Sequence, residues 1–249
     1  MAKKHKIGLV LSGGGTRGYA HLGAVKALYE KDIVPGIISG VSAGAIVGAF
    51  LADKKDPEEI FLNLKKKRIF DYSKVHVPKN SLLSLEGLKK DLENNISVKN
   101  LEDLGIPFTV AAANISEGKI EYFDKGVIAD LVVASSSIPV LFSPIKMKND
   151  YYVDGGLFDN LPVTPIKDKC KKVIGIHINP IQKENEFPNL FKIASRAFHL
   201  SVHSTIKESK EMCDVFIEPE KLHEYEILDT KKADELYEIG YEYVSKMKF

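Results

Sequence analysis

Cysteine is nearly absent: the 249 residues include only two, Cys170 and Cys213. Two thiols cannot build a disulfide framework, and no C-x-x-C pair offers a metal or redox site. A reducing compartment, the cytoplasm, is therefore the expected location. Charge of one sign is also lacking. Lys plus Arg number 35 and Asp plus Glu 34, a formal net charge of +1. Such a chain has no global field to recruit nucleic acid or anionic lipid, so nucleic acid is not an expected partner and contact with a membrane surface would be local and transient. After the basic Met1–Lys6, the apolar run Ile7–Leu11 stops at three glycines, too short for the hydrophobic segment of a secretory leader. Ala2 gives no myristoylation signal. Internal repeats, low-complexity tracts and linkers are missing as well.

What is present is ordinary globular composition, with 44% hydrophobic and 28% charged residues. That excludes a disordered or fibrous chain. A chain of this length buries roughly 70–75% of its unfolded surface and needs no staples. One uncharged stretch, Ile33–Ala52, is about as long as a bilayer-spanning helix. Pro35, Ser39, Ser42 and glycines at 36, 40, 44 and 48 interrupt it. A buried strand, a sharp turn and a buried helix fit it better than a membrane span.

Period-two and short apolar runs predict strands at Ile7–Leu11, Ile37–Ser39, Phe108–Asn114, Lys119–Phe123, Ile145–Met147, Tyr151–Val153, Val173–Ile178 and Asp214–Ile217. Helical spacing predicts helices at Arg17–Glu30, Ala43–Ala52, from Pro57 to Arg68, Leu85–Asn95, Ile128–Ser135, Leu190–Met212 and Lys232–Met247. Pro57 at the first helical position, with Glu58 and Glu59 behind it, marks a helix start. The basic run Lys65–Arg68 reads as a solvated helix end. Segments 75–84 and 179–189 read as mobile loops. Alternating strands and helices imply an α/β three-layer sandwich, a mostly parallel sheet with helices on both faces. A single domain over 1–249 is expected, with a core at about 7–167 and a part from 168 to 249 completing the sheet.

Two glycine motifs sit at strand-to-helix turns. Gly13-Gly14-Gly15-Thr16-Arg17-Gly18 fits G-x-G-x-x-G in the context of a dinucleotide fingerprint. The next strand, however, ends at Ser39-Gly40-Val41-Ser42 without the acid that would hold a ribose. A Walker A loop is excluded because Tyr19 stands where lysine is required. Bare backbone N–H groups at a helix start also suit an anion, including the transient oxyanion of acyl transfer. Gly40-Val41-Ser42-Ala43-Gly44 is a G-x-S-x-G turn that would thrust the Ser42 hydroxyl out as a nucleophile.

A serine nucleophile needs a base. His177, His199, His203 and His223 lie downstream, where a triad histidine could stand. His177 falls in a strand and reads as a core residue. His199 and His203 are spaced like zinc ligands, but Leu200 replaces the glutamate of H-E-x-x-H, so no metal is expected. The other candidate is Asp154, at a strand end before Gly155 and Gly156. Taken alone its pattern fits a β-turn better than a base, and only a water-poor pocket would make it a useful one.

These motifs occur in order, joined by Ala134-Ser135-Ser136-Ser137-Ile138-Pro139 and Asn160-Leu161-Pro162. Together they resemble the patatin-like phospholipase family, especially its small bacterial members, over about residues 7–167. Val41 departs from the family's more frequent threonine. The resemblance implies a patatin-like α/β fold and a serine lipid acyl hydrolase (phospholipase, lysophospholipase or carboxylesterase). It implies a Ser42–Asp154 dyad, an oxyanion hole from Gly13, Gly14 and Gly15 with Arg17 nearby, and no cofactor. The expected partner is a lipid or ester substrate, its acyl chain lying along apolar wall near Val75–Leu83. A histidine-dependent esterase or acyltransferase, and a nucleotide-binding or regulatory module, remain the alternatives.

Overall fold

A computed structural model describes residues 5–67, 84–188, 190–227 and 229–249. The expected loop at 75–84 and the acyl wall near 75–83 lie outside these residues, Ser84 excepted. One mixed sheet organises the chain. Its parallel part runs β8 (Val215–Ile217), β7 (Cys170–Ile176), β1 (His5–Leu11), β2 (Ile37–Gly40), β3 (Phe108–Asn114). β4 (Lys119–Phe123) and β6 (Asp150–Asp154) join β3 antiparallel, and β5 (Ile145–Met147) closes a hairpin with β6.

Both faces of the sheet are covered, as alternation along β1 requires. Leu9 and Leu11 point into the larger core, and Val10 into a smaller one. The larger core unites the sheet with α1 (Gly18–Tyr29), α2 (Ala43–Ala52), α3 (Pro57–Lys67), α4 (Glu86–Asn95), α5 (Ile128–Ser135) and α8 (Ala233–Ser245). The smaller core lies under Leu161, Val163 and Ile166, with Ile206 of α7 (Ile206–Glu211). Within the uncharged stretch 33–52, β2 and α2 are buried along their whole lengths. Among the described residues, no helix is long and apolar enough to cross a membrane.

The expected helix Leu190–Met212 is instead two helices, α6 (Leu190–Ser204) and α7, separated at Thr205. The Thr205 hydroxyl donates to the Val202 carbonyl at 2.8 Å and accepts the Asn160 N–H at 3.1 Å. Such local side-chain bonding competes with helix continuation. The span 179–188 carries no regular element, as expected of a loop.

Register explains how distant segments meet. β4 occupies one edge of β3 along Val110–Asn114. β2 and β6 must therefore share the other edge. Gly40, the last residue of β2, pairs with Val110, and Asp154, the last residue of β6, pairs with Ala112. The two strands run head-on along one edge of β3 and stop just short of each other. The turns that leave their two ends are forced into the same gap.

Candidate active site

Ser42 fills the turn from β2 into α2 with φ 53° and ψ −122°. Residues with a Cβ seldom adopt this conformation, and it persists only where the surroundings hold it. Three bonds do so. Ser42 N–H donates to Ser135 Oγ at 2.9 Å, and the Ser135 hydroxyl passes on to the Ala111 carbonyl at 2.6 Å. Val41 N–H donates to the Leu11 carbonyl at 3.2 Å. Gly44 lets α2 press against the end of β1, for a Cβ there would lie 2.1 Å from the Leu11 carbonyl oxygen. Gly40 closes β2.

Asp154 comes from the opposing strand and is 3% exposed. Its Oδ1 accepts the Gly156 N–H at 2.8 Å, and the Ser42 side chain stands close enough to the carboxylate to favour its ionised form. Its own N–H donates to the Ser137 carbonyl at 2.9 Å. Gly155 and Gly156 form the buried tight turn behind it. Burial pushes the carboxyl from 3.8 up to about 7, outweighing Ser42 and the Gly156 N–H, which favour the ionised form. The structure thus brings together the two residues that sequence reasoning paired only through resemblance. It also gives this segment a physical role: the Ser135 hydroxyl holds the backbone of Ser42, and the main-chain carbonyl of Ser137 that of Asp154. Nothing in the sequence beyond three serines at an apolar helix end announced this.

The glycine loop faces the same gap. Gly14 and Gly15 N–H find no acceptor among the described residues. Gly13 N–H is engaged, donating to Asn160 Oδ1 at 3.2 Å. Gly15 has φ +59°, and a Cβ there would strike the Ile227 carbonyl at 2.3 Å. Arg17 is placed differently from a free oxyanion donor. Its Nη1 donates to Asn179 Oδ1 at 2.8 Å, while Nε and Nη2 hold the Tyr225 carbonyl at 3.0 and 2.6 Å. Burial lowers its pKa to about 10, which leaves it charged at neutral pH. Arg17 ties the glycine loop to the chain crossing above it, and Gly18 starts α1.

Phe198, His199 and Val202 of α6, together with Ile227, roof the gap. The space left beside Ser42 and Asp154 is about 20 Å³. That suffices for a water, against roughly 300 Å³ or more for a ligand pocket. A wider hollow of about 820 Å³ beside Ile7, Lys31 and Phe249 contains no acid–nucleophile pair.

The histidines separate. His177 is fully buried; its Nδ1 faces Glu218 Oε1 at 2.6 Å, and burial lowers its pKa. His203 packs 6.4 Å from it, ring to ring. His223 faces the Glu220 carbonyl. His199 lines the gap. No group of three or more His, Cys, Asp or Glu suited to a metal occurs among the described residues.

Residues 9–166 match the family described as patatin-like phospholipase. The chain is similar to lysophospholipase NTE1 of Kluyveromyces lactis, 29% identical over 269 residues covering 95% of this chain and 19% of that protein. It is similar to lysophospholipase NTE1 of Candida albicans at 27% identity, covering 97% of this chain and 20% of that one. The chain therefore spans about a fifth of the length of these relatives. Among solved structures, VipD from Legionella pneumophila shares the fold, with a TM-score of 0.56 at 18% identity, over 97% of this chain and 66% of that one.

Proposed function

The chain belongs to the patatin-like phospholipase family, and from that premise we propose that it is a serine hydrolase of lipid carboxylic esters, working through Ser42 and Asp154. The observation that carries this reading is the meeting of Ser42 with the buried carboxyl of Asp154 in one gap beside the glycine loop, a carboxyl that burial pushes up to about 7. A base poised there accepts a proton at neutral pH and returns it readily. Asp154 takes the Ser42 proton as Oγ attacks the ester carbonyl. Gly14 and Gly15 N–H receive the oxyanion, each such donor being worth roughly 3–4 kcal/mol. Asp154 then protonates the leaving alcohol. A water enters, loses a proton to Asp154 as it attacks the acyl carbon, and the fatty acid leaves as Asp154 returns that proton to Ser42 Oγ. No step requires a metal or cofactor.

The relatives named lysophospholipases favour a single-chain lysophospholipid as substrate. Its acyl chain exceeds the space beneath α6, so α6 must swing aside for turnover. Leu190, Ile193 and Leu200 on α6 stay exposed. They supply the local apolar contact through which a lipid surface would draw the helix away.

A fluorophosphonate probe tests the reading. It should label the wild type and leave Ser42→Ala unlabelled, and the wild type should release fatty acid from lysophosphatidylcholine. A wild type that resists the probe and every ester refutes the enzyme reading and favours a binding module. His199 in the gap keeps the histidine-dependent alternative testable. His199→Ala should retain turnover; its loss, with Asp154→Asn active, would reassign the base.

A further inference from the structure

Asn160 follows the Asp154 turn and is 2% exposed. Its backbone N–H is fixed by the Thr205 hydroxyl at 3.1 Å. Its side-chain Oδ1 accepts the Gly13 N–H at 3.2 Å. An N–H group can only donate, so the atom facing Gly13 is the oxygen, and the orientation of the amide is settled. Nδ2 occupies the other prong. It is buried and has no acceptor among the described residues. Orphaned buried donors are rare and call for a reason.

The surroundings of that prong supply one. Asn160 lines the same gap as Ser42, Asp154 and the glycine loop. A Cβ on Gly13 would lie 2.5 Å from Asn160 Oδ1 and 3.1 Å from Ser42 Cβ. A Cβ on Gly156 would lie 2.8 Å from Asn160 Oδ1 and 3.0 Å from Asp154 Oδ1. The amide therefore stands where the loop, the serine and the aspartate converge. Anchoring Gly13 requires only an acceptor. An aspartate would serve for that, yet the chain carries an amide with two further hydrogens inside the gap.

We propose that Asn160 is a catalytic residue: its Nδ2 donates to the substrate oxygen that becomes negative when Ser42 attacks, completing with Gly14 and Gly15 N–H the set of donors around it. No proton is transferred. The amide keeps its hydrogens and strengthens one bond as charge develops. The proposal rests on the ester-hydrolase reading and adds a side-chain donor to it.

The test compares Asn160→Asp and Asn160→Ala with wild type on a soluble p-nitrophenyl ester. Asn160→Asp keeps an acceptor for Gly13 N–H and loses the donor; Asn160→Ala loses both. A new carboxylate also raises the pKa of Asp154, so kcat is read on the alkaline plateau, where Asp154 is ionised in every protein. Loss of one oxyanion donor lowers kcat by roughly 10²–10³ and leaves KM within about twofold. Both variants should fall by more than about tenfold in kcat, with the Asn160→Asp melting temperature close to wild type near pH 4, where the added carboxyl carries no burial penalty. If Asn160→Asp keeps kcat within about tenfold of wild type, whatever KM does, Asn160 only anchors Gly13 and the proposal is overturned. Should Asn160→Ala fail to fold, Asn160→Asp decides alone. A wild type inert to every ester overturns the enzyme reading and this proposal together; an active wild type with insensitive Asn160 variants overturns this proposal only.

Discussion

Replacing Asp154 by asparagine should abolish activity and, above neutral pH, stabilise the protein. The carboxyl titrates at 3.8 in an unfolded chain and at about 7 in the native state. Below about pH 4 it is protonated in both states, and burial carries no electrostatic penalty. Between about pH 4 and 7 the unfolded chain ionises while the native state keeps its proton, so stability falls as pH rises. Above about pH 7 the full penalty is present. About three pKa units correspond to about 4 kcal/mol. Asparagine never ionises and escapes this term. At roughly 2–4 °C per kcal/mol for a chain of this size, Asp154→Asn should melt on the order of 10 °C above wild type near pH 8 and level with it near pH 4. Scanning calorimetry of both proteins at the two pH values reads this directly. Ester turnover, measured in parallel, should drop by roughly 10²–10⁴, the usual contribution of a general base. A variant no more stable than wild type near pH 8, or equally shifted at both pH values, would show that Asp154 is not held as a desolvated acid.

Other consequences are as direct. Ser135→Ala removes the acceptor of Ser42 N–H; it should lower kcat by about tenfold or more and destabilise by roughly 1–3 kcal/mol in denaturant titration. Gly44→Ala puts a Cβ 2.1 Å from the Leu11 carbonyl oxygen; a lower melting temperature and slowed fluorophosphonate labelling should result, since α2 and its N-terminal serine must back away. The pair Leu190→Glu and Ile193→Glu alters exposed α6 positions; hydrolysis of vesicle-borne lysophospholipid should fall severalfold while a soluble acetate ester is turned over unchanged.

Much of the fold is legible in the sequence where local chemistry decides. Phe108–Asn114 and Lys119–Phe123 form strands at the expected bounds, because Gly118, at φ +70°, supplies the left-handed turn between them. The turns at Gly13 and Ser42 fall where strand meets helix, as their glycines demand. The break at Thr205 is not legible: apolar spacing runs on through it, and the hydroxyl's bond to Asn160 depends on a residue far away in the chain. Nor can periodicity reveal that β2 and β6 share one edge of β3. That pairing carries Asp154 to Ser42, and without it Asp154-Gly155-Gly156 reads as an ordinary turn. Asn160 stands out in the sequence only as part of a resemblance; its orphaned Nδ2 is a fact of packing.

Turnover is assigned above all to a carboxylate of raised pKa serving as base for Ser42. The pH dependence of kcat on a soluble p-nitrophenyl ester tests that assignment most directly. A single limb rising through about pH 7 to a plateau is predicted, unchanged in His199→Ala and missing in Asp154→Asn. A profile without that limb, or one that survives in Asp154→Asn and vanishes in His199→Ala, would contradict it.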